Sequence, residues 1–107
     1  MAAKFENTVT LNAQIPALVE KMRNIAFSGL GITLQSEAPY ANGGVCFQLK
    51  NGMGLTSWGE NISVILVPAG ETQTTAAVRS ECALPTQIID WGKNKENVTK
   101  LIQFLSF

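Results

Sequence analysis

The side chains of this chain that could do chemistry together are Glu60, Arg79, Asp90, Lys93 and Asn94, with Trp58 and Trp91 as apolar walls. An arginine can hold a carboxylate bidentately, and Arg79 on the outward face of a strand could meet Glu60 across a sheet. As a ligand site, Trp58, Glu60, Arg79, Trp91, Lys93 and Asn94 would read a small apolar or anionic molecule, a tryptophan packing against its apolar part. The plainer reading of the same residues is a helix cap, a cross-strand pair and two core or interface tryptophans. An exposed pair of that kind contributes only about 0–1 kcal/mol, so its presence would argue for surface order alone.

Several chemistries lack their residues. There is no histidine, which removes the commonest general base and metal ligand together with any Ser-His-Asp or Cys-His arrangement. Cys46 and Cys82 have no partner at metal-ligand spacing, so no metal is expected. The one GxG, Gly52-Met53-Gly54, lacks a third glycine and a helix directly after it, and no cofactor is expected either. No catalytic residue is assigned, because neither Asp90 nor Glu60 has a second member at a productive spacing.

Eight basic and eight acidic residues cancel, and without a basic run or face nucleic acid is not an expected partner. Apolar residues make up 46% and charged residues only 15% of the chain, a low charged fraction that points to apolar outer surface and self-association. The longest apolar run, 64–67, is far too short to span a bilayer, and no transmembrane segment is expected. Met1 is not followed by the charged and apolar regions of a secretory signal, so the expected setting is cytoplasmic. There the cysteines would stay reduced.

The elements that must position these groups follow from periodicity. The 107 residues form a single α+β domain, 1–107. Phe5, Asn7, Val9 and Leu11 alternate with polar neighbours as a first strand. A helix from Asn12 or Ala13 follows, with Ile15, Leu18, Val19, Met22, Ile25, Ala26 and Gly29 on its apolar side. Phe27 falls toward the polar side, as a rim contact against a neighbouring loop, the preferred reading, or as part of an exposed interaction surface. Ile32 and Leu34 begin a second strand closing at Pro39, and 39–44 is turn chemistry. Val45, Phe47 and Leu49 mark a third strand, with Asn51-Gly52 as the strongest hairpin signal. Residues 53–60 fit either the return arm of that hairpin or a bulged continuation. Ile62, Val64 and Leu66 oppose Ile65 and Val67 in a strand apolar on both faces. Ala76, Val78, Ser80 and Cys82 share one face of the last strand, so Cys82 points inward and Cys46 outward.

After Pro85, Asp90 is placed to cap a helix starting at Trp91. Trp91, Val98, Leu101, Ile102 and Leu105 form its stripe. Asn94 and Asn97 fall toward the sheet, where their amides must find partners or cost about 1–3 kcal/mol each. The expected fold is an antiparallel sheet of about five strands in the order β-α-β-β-β-β-α, both helices on one face.

That order resembles the TATA-binding-protein-like architecture, which also relates to the helix-grip ligand-binding proteins. The segments SWGE at 57–60, Arg79-Ser80, PTQ at 85–87 and DWGKN at 90–94 resemble a family of small bacterial domains without an assigned activity, in which a Trp-Gly strand motif precedes a similar helix start. The resemblance covers the second half of the chain and implies fold and a bacterial setting, not chemistry. The expected function is a non-enzymatic binding module engaging a protein partner or itself, as a homo-oligomer, through the open sheet face. The alternative is a small-molecule or lipid carrier with a pocket between helices and sheet.

Overall fold

Strict alternation in the last strand sets the frame for the rest. In β5 (Thr74–Cys82), Thr74, Ala76, Val78, Ser80 and Cys82 are buried, and the residues between them are half-buried on the opposite face. This is the period-two signature of a strand with one covered face. In this computed structural model, which describes residues 3–52, 59–84 and 92–106, five antiparallel strands lie in the order β1-β5-β4-β3-β2. They are β1 (Lys4–Leu11), β2 (Ile32–Tyr40), β3 (Gly44–Asn51), β4 (Glu60–Pro68) and β5. Helix α1 (Ile15–Arg23) lies against β3 and β4, and α2 (Lys93–Ser106) against β1 and β5. The chain order is the expected β-α-β-β-β-β-α.

Leu18, Met22 and Ile25 meet Phe47, Leu49, Ile62, Val64 and Leu66 from the sheet, and Val98, Leu101 and Leu105 complete the same core. Ile65, Val67 and Cys46 stand on the other face of the sheet. Cys46 and Cys82 are free thiols on opposite faces. Among the described residues no helix is long and apolar enough to cross a membrane.

Four local expectations are corrected. Helix α1 starts at Ile15, because Asn12 and Ala13 are held by the start of β5: Gln73 Nε2 donates to Asn12 Oδ1 at 2.8 Å, and Thr74 Oγ1 to the Ala13 carbonyl at 2.8 Å. The helix also ends early. Asn24 Nδ2 turns back to the Glu20 carbonyl at 2.9 Å, and Ile25–Phe27 continues as a 3-10 turn. Three residues per turn put Ile25 inside but leave Ala26 exposed and Phe27 88% exposed, so Phe27 is not a rim contact. Finally, Asn51 pairs with Glu60, and Asn51-Gly52 is not a two-residue hairpin turn. Residues 52–59 make the connection, of which 53–58 lie outside the described residues.

Strand β2 runs through Pro39 to Tyr40. Proline is tolerated there because β2 is an edge strand. An irregularity between Leu34 and Ser36 turns the strand by one residue, so Leu34 faces Leu49 but Glu37 faces Phe47. Glu37 then meets Arg23 of α1 in a two-bond pair of 3.0 and 2.7 Å. The Arg23 hydrogen bonds hold the Glu37 carboxyl below its ordinary value, with the Arg23 charge helping and slight burial opposing. A lowered folded value means that the pair supports folding above the unfolded carboxylate range and that this support fades as pH falls through the folded value. Arg23→Gln is expected to return the Glu37 titration, followed by side-chain carboxyl NMR, toward the ordinary value. An unchanged midpoint would show that the pair does not form in solution.

Candidate functional site

The polar residues gather at one end of the sheet, on the helix side. Glu60 opens β4 and shares the parity of Ile62, Val64 and Leu66, so its carboxyl points under α2 and is 2% exposed. Ser80, Asn94 and Asn97 are fully buried beside it. The first two turns of α2 bring Asn94 and Asn97 over β5 and β4, while Asn51 comes from the end of β3.

The amides and hydroxyl form a continuous chain. Asn97 Nδ2 donates to Glu60 Oε1 at 2.9 Å and to Ser80 Oγ at 3.1 Å. Asn97 Oδ1 accepts from Asn51 Nδ2 at 2.8 Å, and the same Asn51 nitrogen lies 3.4 Å from Glu60 Oε1. Ser80 Oγ donates to Asn94 Oδ1 at 2.8 Å. Asn94 Nδ2 in turn donates to the Ala3 carbonyl at 2.9 Å and to Cys82 Sγ at 3.5 Å. Asn94 and Asn97, the two fully buried amides, each have both oxygen and nitrogen engaged, as burial demands. The strand termini are pinned nearby: the Cys82 N–H donates to the Ala3 carbonyl and the Ala83 N–H to the Gly59 carbonyl.

Chemically this arrangement holds and orients more readily than it reacts. Ser80 gives its proton to an amide oxygen, which is too weak a base to activate the hydroxyl as a nucleophile. Cys82 Sγ accepts from the Asn94 amide, and Cys82 pairs in register with Glu60. Among the described residues no three His, Cys, Asp or Glu side chains come together as a metal site.

Of the residues chosen from sequence, Glu60 and Asn94 fall into this one cluster. Arg79 does not: it lies on the outer face of β5, opposite Ser63 of β4, and bonds Glu81 Oε2 at 2.8 Å. The expected Arg79–Glu60 pair is thus overturned, because the sheet separates the two side chains. Arg79 instead borders an open concavity of about 510 Å³ with Glu6, Thr8, Ser63, Ile65 and Ala77. Lys93 is exposed at the start of α2. Trp58, Trp91 and Asp90, with the expected cap and helix start, lie outside the described residues. Asn51 and Ser80 were not singled out as site residues. Ser80 was legible from its inward parity in β5, and Glu60 carries the same signal in β4, whereas nothing local marks Asn51.

Gly59 fixes the entrance of β4 into this cluster. Its φ is +90°, and a Cβ there would stand 2.7 Å from the Asn51 carbonyl oxygen. Both features call for glycine. Gly59→Ala is expected to cost about 1–3 kcal/mol in urea unfolding, from a backbone forced out of its native φ or a displaced Asn51. A neutral substitution would mean that the β3–β4 junction is loose enough to shift.

No family model matches the sequence, and no curated protein matches it. Among solved structures, the fold is similar to that of a START superfamily protein from Mycobacterium smegmatis, with a TM-score of 0.58 over 96% of this chain and 94% of that one, at 13% identity. The likeness is one of fold.

Proposed function

We propose that this domain is a non-enzymatic binding module for a small apolar or amphipathic molecule. The observation carrying this reading is the whole-chain likeness to a START superfamily fold, a class of binding modules. The buried cluster supports it by giving the α2 side of the sheet one polar end, Glu60, Asn97, Ser80 and Asn94, beside an otherwise apolar core. A ligand with a polar head and an apolar body matches that division. Trp58 and Trp91 stand two and three residues along the chain from Glu60 and Asn94, and they are the reporters of choice. Titration with single-chain amphiphiles and small aromatic compounds should change tryptophan emission saturably, and Asn94→Ala should weaken the response. Flat emission across the panel, with unchanged thermal stability, would end the carrier reading.

A second reading has its own observation. On the outer sheet face Ile65, Val67 and Ala77 are half-buried, and Arg79 Nε is buried without a hydrogen-bond partner among the described residues. A protein partner or second copy laid on this face would cover the aliphatic side chains and offer that nitrogen an acceptor. Light scattering at high micromolar concentration tests the self-association form. A dimer dispersed by Ile65→Glu supports it, and a strict monomer removes it.

A further inference from the structure

The outer face of the sheet is divided in two along the strands. Toward the 69–73 turn its outward positions are Ile65 and Val67 of β4, Thr75 and Ala77 of β5 and Cys46 of β3, none of them charged. Tyr40, 46% exposed, closes the same half on β2. The other half holds every charge of this face among the described residues: Lys4 and Glu6 on β1, Arg79 and Glu81 on β5, and Lys50 on β3. Arg79 and Glu81 pair at 2.8 Å and stay 43% and 40% exposed. The Lys50 ammonium makes no hydrogen bond or ion pair among the described residues.

We propose that a second copy of this chain covers this face about a two-fold axis running along β4, the two sheets packing face to face. The inference rests on the self-association reading of the face and adds the arrangement. β4 is the middle strand of five, so an axis along it overlays the two faces fully, β5 on β3 of the second copy and β1 on β2, with strands aligned within about 30°. The uncharged halves then meet: Ile65 and Val67 lie against their own copies, and Ala77 against Cys46. In the charged half Glu81 comes over Lys50, Arg79 over Gln48 and Lys4 over Thr33, each twice by symmetry, so no two like charges face. Other axes lack this match. One across the strands would lay Glu81 on Thr75 and Arg79 on Ala77, covering charge with no opposite charge. One between β4 and β5 would lay Lys4 on Lys50. Strands of eight or nine residues, at about 3.4 Å per residue and about 4.8 Å apart, give a face of about 650 Å² before side-chain relief. Set against about 800 Å² per partner in a standard interface, that is the size of a dissociable dimer.

Sedimentation equilibrium of the purified chain is expected to show a monomer–dimer equilibrium in the micromolar range. Lys50→Glu sets a glutamate against Glu81, and Glu81→Lys sets a lysine against Lys50, so each variant alone should dimerise at least about 10-fold more weakly. An equimolar mixture of the two variants should recover dimerisation to within about 3-fold of the unsubstituted chain, because their heterodimer contains two opposite-charge pairs. Within one copy Asn61 of β4 stands between Lys50 and Glu81, so recovery on mixing has to come from contact between copies. A dimer that neither variant weakens, or a mixture no tighter than its components, overturns the axis along β4 and leaves self-association standing. A strict monomer at high micromolar concentration removes both.

Discussion

Replacing Asn97 by leucine, a side chain of similar reach without the amide, is expected to lower the unfolding free energy by about 3 kcal/mol. The substitution removes three contacts from a buried interface: the donor to Glu60 at 2.9 Å, the donor to Ser80 at 3.1 Å and the acceptor for Asn51 at 2.8 Å. A hydrogen bond contributes about 1 kcal/mol net on average, and removing one partner of a buried pair adds the desolvation cost of the group left behind. The added apolar area of leucine recovers part of this, which keeps the figure near 3 rather than above it. Urea unfolding followed by circular dichroism gives the value directly. The contrast is Asn97→Leu combined with Glu60→Leu: with both polar partners gone, the pair should cost less than the sum of the two single changes. Strict additivity would show that the two side chains do not interact in solution.

The cluster that Asn97 organises shows what patterning in the sequence can and cannot convey. Inward parity of Asn94 and Asn97 on α2 was readable from Val98, Leu101 and Leu105, because all of them obey one helical period. Inward parity of Ser80 was readable from Ala76 and Val78 in the same way. Their mutual bonding was not readable, since it depends on which strands neighbour one another, and the register of β4 against β5 is a long-range property. The Arg79–Glu60 pairing failed on this point. Both residues are strand residues of opposite charge, yet Glu60 takes the face of Ile62 and Arg79 the face of Ala77, and a one-residue difference in parity places the whole sheet between them.

Turn chemistry misled in a related way. Asn51-Gly52 has the composition of a tight hairpin, but Asn51 spends its side chain on Asn97 and its backbone on Glu60, so the tertiary contacts outcompete the local turn preference. At the other helix, hydrophobic period extended α1 past its true end. The side-chain bond from Asn24 to the Glu20 carbonyl and the tighter turn that follows are local polar effects to which an apolar period is blind. The same turn is what leaves Phe27 in solvent.

Polar and apolar anchoring divide α2 between them, and the larger effect should come from the apolar half. Leu101→Ala is expected to destabilise the domain by about 3–4 kcal/mol, within the usual range of about 2–5 for a fully buried leucine. Leu101 is wholly inaccessible and stands among core residues of both helices and the sheet, so the space it vacates has little freedom to collapse. At about 4–8 °C per kcal/mol for a domain near this size, the midpoint should fall by more than 10 °C. Ile102, its partly exposed neighbour on the same helix, provides the control: Ile102→Ala should cost less than half as much. If the two substitutions cost the same, α2 does not sit on the sheet in the register described. If Leu101→Ala is instead severe while hydrogen exchange at the Asn94 and Asn97 amides stays slow, the helix remains fastened by its first two turns when its apolar grip is weakened. The polar cluster would then be an independent anchor that holds the N-terminal half of α2 on the sheet.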